Sequence, residues 1–298
     1  MRRMDDARPD FETIRIDTID DPRVAVFRDL RDKDLRRLHG ALFVAESEMV
    51  VRQLLRTPAR LHSLLVVEQR LHRLGDLLAR LPPTVPIYLC TKVVAESIAG
   101  LHIHRGMLAA GYRPSDEDLS LDRALGHLKS RERLALVIAE GLSDVDNMGS
   151  LFRNAAAFGA DGILLDPSCC DPLYRKAIRT SVGHALTLPY ARSRDWPGDL
   201  ERLRRDWGLV LIGAETAPQA RPVWQARPGP RLGVLVGAEG SGLSPAAMAA
   251  CDAICEIPMV AEAASLNVAA ATAVMLYELI GRRPATAAPP PPPPDPEP

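Results

Sequence analysis

LALVIAEGLSDVDNMGSLFRNAAAFGADGILLDP, residues 134–167, runs through a complete strand, loop, helix and strand. The apolar run 134–139, closed by Glu140, predicts a strand over 134–140 buried on both faces. The polar, glycine-containing loop 141–147 follows it. A helix is expected over about 148–158, ending at Gly159, and a second buried strand over 162–167. The pattern then repeats. GLVLIGAE (208–215) and LGVLVGAEG (232–240) read as strands, Ser244-Pro245 starts a helix, and Cys255–Pro258 reads as a short strand. DPLYRKAIRTS predicts a helix opening on a proline in its first turn, and Leu266 to Ile280 a long closing helix, with Ser265 as its cap and Asn267 inside its first turn. Apolar strands alternating with helices predict a parallel α/β sheet covered on both faces. Ligands on such sheets bind in the loops at the carboxyl ends of the strands.

Upstream, residues 22–114 are rich in Arg and Leu and read as a smaller α/β unit. VFRDLRDKDLRRLHG predicts a helix ending at Gly40, and Leu42-Phe43-Val44 a short strand feeding a second helix. LHSLLVVEQ and VPIYLCT read as strands with a helical stretch, RLHRLGDLLARL, between them. The polar stretch Pro114–Asp118 marks the boundary. The resulting layout is a tail (1–21), a first domain (22–114), a linker (115–130), a second domain (131–283) and a tail (284–298). Nine of the chain's 26 prolines lie in that last segment. It reads as an extended polyproline appendage, either simply solvated or a ligand for an SH3-like partner.

The 298 residues carry 37 Lys plus Arg and 38 Asp plus Glu, a net charge of −1. Binding to nucleic acid through bulk positive charge is thereby excluded, so any RNA contact has to come from local clusters. Two such clusters stand out. Arg28, Arg31, Lys33, Arg36 and Arg37 fall on one expected helix, interleaved with Asp29, Asp32 and Asp34. Arg175, Lys176 and Arg179 follow the Cys169-Cys170 doublet. The first cluster reads either as a solvated face or as an RNA contact. Five cysteines without a C-x-x-C pair match neither a disulfide framework nor a zinc site and read as small buried hydrophobes. No metal is expected. The polar N-terminus and the lack of a long apolar run predict a cytoplasmic protein without signal peptide or membrane span.

Three strand ends carry unusual residues. The first holds Asn147 and Arg153; Asn147 suits a helix N-cap as well as a functional role, and an exposed helix arginine is commonplace. In the second, Gly237, Glu239, Gly240 and Gly242 let a ligand approach backbone amides. That loop lacks the endings of a P-loop or dinucleotide fingerprint, and its acidic residue suits a ligand with a positive centre or hydroxyls better than phosphate. The third holds Ile257-Pro258-Met259 and Ser265-Leu266-Asn267-Val268, where Asn267 is a poor helix former.

In this order the motifs N-x-G-x-x-x-R (Asn147, Gly149, Arg153), G-x-E-x-x-G (Gly237, Glu239, Gly242) and I-P-M…S-L-N-V resemble the SpoU (TrmH) branch of the SPOUT RNA methyltransferases. SVGHALTLPY (181–190) resembles that family's S-x-G-A segment with His184 inserted. RRLHGALFVAESEMV resembles its ribosomal-protein-like RNA-binding domain, with Ser47 where Gly is common, and HRGMLAAGYRP resembles that domain's exit. The resemblance covers about 22–283. It implies a deep trefoil knot, a homodimer with its catalytic site at the subunit interface, and S-adenosylmethionine held around Leu235, Val236, Gly237, Gly242, Ile257, Met259 and Leu266. It implies methylation of a ribose 2′-hydroxyl in structured RNA, ribosomal RNA favoured over transfer RNA. Arg153, Asn147, Glu239, Asn267 and Ser265 would form the catalytic set. The family's account makes Arg153 the base or activator; a guanidinium stays protonated and fits a phosphate grip better, leaving Glu239 as another proton acceptor. A catalytically silent RNA-binding or ribosome-assembly factor on the same fold is the alternative. A different nucleotide-binding enzyme is disfavoured by the missing dinucleotide fingerprint.

Overall fold

The computed structural model describes residues 12–28, 41–57, 60–100, 106–260 and 265–281. Two sheets organise them. The first has five strands, β1 (Thr13–Arg15), β2 (Leu42–Glu46), β3 (Leu61–Val67), β4 (Ile87–Cys90) and β5 (Met107–Tyr112), in the order β1-β4-β3-β5-β2. β5 runs antiparallel to both β2 and β3. Helices α1 (Glu48–Leu54), α2 (Gly75–Leu78) and α3 (Lys92–Ala99) flank it. Ser47 caps α1, accepting from the Val50 amide, at the price of φ +92. That left-handed backbone is one that glycine adopts without strain.

The second sheet has seven strands: β6 (Leu134–Ala139), β7 (Gly162–Leu165), β8 (Tyr190–Arg192), β9 (Val210–Ala214), β10 (Arg221–Pro222), β11 (Arg231–Val236) and β12 (Ala253–Glu256). Their order is β10-β12-β9-β11-β6-β7-β8, and every pairing is parallel. Helices α4 (Leu121–Leu125), α5 (Val145–Ala157), α6 (Arg175–Thr180), α7 (His184–Thr187), α8 (Gly198–Arg205), α9 (Pro245–Ala250) and α10 (Val268–Leu276) cover it, and a π-turn (Tyr277–Gly281) extends α10. The parallel α/β expectation is met. Side chains of β6 divide by the two-residue period of a strand. Ala135, Val137 and Ala139 face α5 and α10, while Leu134, Leu136 and Ile138 face α4, α8 and α9.

Several boundaries differ from expectation. Thr13–Arg15, assigned to a tail, is an edge strand paired with β4. In the expected linker, Leu121, Leu125 and Leu128 are buried in the second sheet's core, so this part of the chain packs as a helix. The described start of the expected basic helix is a 3-10 turn, Pro22–Phe27, after which Arg28 is extended. Pro172 lies outside α6, which begins at Arg175. The stretch between β3 and β4 forms a 3-10 turn and a single turn of helix, because Gly75 and the proline pair after Leu81 leave it little helical length. The two sheets also share a core: Leu173, Ile178 and Leu186, from between β7 and β8, join the apolar cluster under β2, β3 and β5.

Candidate active site

Three loops at the carboxyl ends of β6, β11 and β12 meet at one point. After β6, Asp144 caps α5, its Oδ1 accepting from the Asn147 amide at 2.9 Å. Asn147 is therefore not the cap, and its side chain is free for another partner, although it is almost wholly buried. Gly149 keeps α5 tight on α6: a Cβ there would lie 2.7 Å from Ala177 O and from Thr180 Cβ.

After β11 the chain curls so closely that Gly237 carries the backbone of Gly242 and Leu243 where a Cβ would stand. Gly242 takes φ +63 against the Glu215 carboxylate, and its amide donates to Ala238 O at 2.9 Å. Two carboxylates hold this loop. Glu215 Oε2 accepts from the Leu243 amide at 2.8 Å, and its Oε1 from Thr216 N at 3.0 Å. Glu140 accepts from Ser244 N and Ser244 Oγ, both at 2.8 Å, and from Trp196 Nε1 at 2.7 Å.

After β12, residues 257–260 lie outside any helix or strand and Asn267, not Ser265, caps α10, with Oδ1 accepting from the Ala269 amide at 2.9 Å. A cap stands outside the helix with its side chain turned back on the first turn, which removes the objection to Asn at this position. Its amide nitrogen donates to Asn147 Oδ1 at 3.1 Å and, more closely, to Glu239 Oε1. Asn154 Nδ2 donates to Ala269 O at 2.8 Å and secures α10 against α5. The three motifs, distant in sequence, are thus joined through one side-chain amide.

Beside that junction lies a cavity of about 530 Å³ between the ends of β9, β11 and β12, floored by Val268, Ala271 and Met275 of α10. Glu215, Glu239 and Glu256 line it, and among the described residues no lysine or arginine does. Its electrostatics favour a ligand with a positive centre, as the sequence suggested. Cys255 also lines it, but burial pushes the thiol pKa up, so it is no nucleophile at neutral pH.

Of the expected cofactor residues, Val236, Gly237, Gly242, Ile257, Met259 and Leu266 line this cavity. Leu235 does not: one residue before Val236 on the strand, its side chain is buried on the opposite face with Leu200, Leu203 and Ala247. Of the expected catalytic set, Glu239, Asn267 and Ser265 line the cavity, and Asn147 reaches it through Asn267. Arg153 is exposed and does not line it. Six residues after Asn147, it points about 240° around α5 from it.

The RNA candidates scatter. Arg28 turns inward, its Nη2 donating to Asp21 O at 2.8 Å and its Nε buried without a partner. Arg31, Lys33, Arg36 and Arg37 lie outside the described residues. Arg175 pairs with Glu46 of β2 at 3.2 Å, and Lys176 with Asp146 at 2.6 Å. Arg179 is exposed. Sequence reasoning missed Glu140 and Glu215. Their signal was present twice, as an apolar strand closed by a single glutamate. The five cysteines are all free. Among the described residues no group of three or more His, Cys, Asp or Glu is placed to hold a metal, and no helix is long and apolar enough to cross a membrane.

Residues 135–277 match the SpoU rRNA methylase family. An uncharacterised tRNA/rRNA methyltransferase of Mycobacterium bovis is 37% identical over 87% of this chain and 88% of its own length. Among solved structures, the SpoU methyltransferase AviRb of Streptomyces viridochromogenes, in complex with AdoMet, superposes with a TM-score of 0.73 at 26% identity, covering 88% of this chain and 98% of that one. An AdoMet-bound rRNA methyltransferase of Sinorhizobium meliloti shares the fold, with a TM-score of 0.73 at 23% identity over 89% and 97%.

Proposed function

Because the chain belongs to the SpoU rRNA methylase family, we propose that it transfers a methyl group from S-adenosylmethionine to a ribose 2′-hydroxyl of structured RNA, ribosomal RNA before transfer RNA, in the cytoplasm. The observation that carries this reading is the Asn267 amide joining Asn147 and Glu239 at the mouth of an acid-lined cavity. The cavity fits the cofactor. Glycines 237 and 242 leave backbone where side chains would intrude, Met275 and Ala271 offer an apolar floor, and glutamates face a sulfonium's charge. Val236, Gly237, Gly242, Ile257, Met259 and Leu266 would hold it. When bound, the cofactor supplies an electrophilic methyl carbon for in-line displacement.

The chain's own part is orientation and proton removal. Glu239 accepts from Asn267 through Oε1, leaving Oε2 to take the hydroxyl proton. Ser265 presents an exposed hydroxyl at the same mouth. Among the described residues no aromatic side chain lines the cavity to stack a base, which suits a sugar oxygen as the target. Arg153 grips phosphate bidentately. Since it faces away from its own cavity, a homodimer would bring Arg153 of a second copy to the site. Val274 and Tyr277, exposed on and just after α10, suit such an interface. The trefoil knot belongs to the same proposal. It is supported by α10 lying against α5 after β12, with Asn267 reaching the loops that follow β6 and β11. So does the division of labour between an RNA-binding domain at 22–114 and a transferring domain at 131–283.

The test is transfer of tritiated methyl to bulk ribosomal and transfer RNA, followed by nucleoside analysis. A 2′-O-methylated nucleoside is expected; a methylated base would overturn the ribose assignment. Arg153→Ala should abolish turnover while calorimetric cofactor binding persists, and near-wild-type transfer by this variant would remove Arg153 from the site.

A further inference from the structure

The inserted His184 has no part in the site above, yet it stands where the two sheets meet. It opens α7, directly after Gly183, whose backbone is pressed against α1: a Cβ on Gly183 would meet Gln53 Cβ at 3.0 Å and Val50 Cα at 3.4 Å. The same Gln53 accepts from Arg56 Nη1 at 3.4 Å, which holds that guanidinium over the junction. From the other side α5 packs on α7, and Arg153 lies on α5. The charged groups that act on His184 are Arg56 and Arg153, both positive. Both arginines are exposed, and among the described residues neither has a carboxylate partner. By contrast, neighbouring Lys176 is neutralised by Asp146, Arg175 by Glu46, and Arg52 by Glu48 and Asp76. Two guanidiniums without a carboxylate partner, one at the end of α1 and one on α5, the two helices packed against the α7 turn that His184 opens, form a seat for an anion in a region where neighbouring cations are paired.

We propose that Arg56, His184 and Arg153 together bind the RNA phosphodiester backbone across the junction of the two sheets. This rests on the reading of the chain as an RNA methyltransferase and adds a docking path to it: strand entering over Arg56, passing His184, and reaching Arg153. In a protein of net charge −1, such a local, unpaired cluster is where phosphate affinity has to reside. Each arginine offers a planar fork that matches a phosphate, and the imidazole donates one further N–H.

Filter binding of fragmented bulk ribosomal RNA to the full chain, without cofactor, tests the seat. Arg56→Gln and His184→Gln should each weaken binding, Arg56→Gln by about tenfold. Arg56→Gln should also reduce the slope of log affinity against log salt by about 0.7–0.9. Arg205→Gln removes another exposed charge, from α8, and should leave both quantities unchanged. Unchanged affinity in both junction variants, or equal weakening by Arg205→Gln, overturns the seat. Circular dichroism of the same variants checks that they fold, which the loss of the exposed Arg56 charge should not prevent. The readout needs no methyl transfer. An inactive but junction-dependent RNA binder would refute the proposed reaction alone, and active transfer with undisturbed binding would refute the seat alone.

Discussion

Asn267 does two things with one side chain, and two substitutions separate them. In Asn267→Ala the α10 cap is lost, which costs about 0.5–2 kcal/mol. Asn147 Oδ1, nearly buried, loses its donor as well, which costs about 1–3 kcal/mol. The exposed contact to Glu239 adds little to stability in solvent. The expected loss is about 1.5–5 kcal/mol in all. Asn267→Asp keeps an oxygen for the Ala269 amide, and a carboxylate at a helix N-terminus is favourable by about 0.3–1 kcal/mol. It removes the donor shared by Asn147 and Glu239 and sets two carboxylates against each other. Asn267→Asp should therefore hold stability better than Asn267→Ala by about 0.5–2 kcal/mol, yet be as defective in methyl transfer. Urea denaturation read by circular dichroism gives the first quantity, and tritiated-methyl transfer under saturating cofactor gives the second. If Asn267→Asp retained wild-type turnover, the shared amide would be a structural cap alone and the argument for the site would fail.

Other expectations follow from single residues. Ser47→Gly should stabilise the chain by about 1 kcal/mol in urea denaturation, because the left-handed strain of about 1–2 kcal/mol disappears and glycine caps nearly as well as serine. Glu215→Gln keeps the shape of the loop brace but presents an amide towards the Leu243 N–H; the KM for S-adenosylmethionine should rise several-fold, with a smaller change in kcat, and an unchanged KM would show that the loop holds itself. Burial, then Arg56 and Arg153, keep the His184 imidazole below its ordinary pKa of 6.5. Its neutral form thus contributes stability above that value, and the contribution is lost as pH falls beneath it. His184→Gln should show a shallower acid loss than wild type when urea midpoints are compared on either side of 6.5; parallel losses would remove the imidazole from the cause.

The strands of the second sheet were legible because continuous apolar runs bounded by glycine and acidic loops have few other readings. β6, β7 and β9 fall within one or two residues of expectation, while β11 starts one residue early and ends at Val236, four residues before the expected Gly240. The short strands were not: Thr13–Arg15 and Tyr190–Arg192 carry only three residues each and draw their order from neighbours. Motif order placed Glu239, Asn267 and the glycines at one site. It did not reveal that Asp144 and Asn267 would take the caps expected at Asn147 and Ser265, since each cap was shifted by two or three residues among several suitable side chains. Nor did it separate Leu235 from Val236, because strand alternation assigns faces only once the neighbouring layers are known. The braces Glu140 and Glu215 act across 104 and 28 residues, a distance at which local pattern is silent.

Leu173, Ile178 and Leu186 have one further consequence. They belong to the chain between β7 and β8 but fill the space under β2, β3 and β5. A polypeptide cut at the Pro114–Asp118 stretch would lack those three plugs and leave its underside open to water. The first sheet is thus a borrowed-core module: its architecture is separable on paper, but its solubility as an isolated piece depends on side chains it does not encode. Exchange of this half between related enzymes would need the 173–186 segment to travel with it.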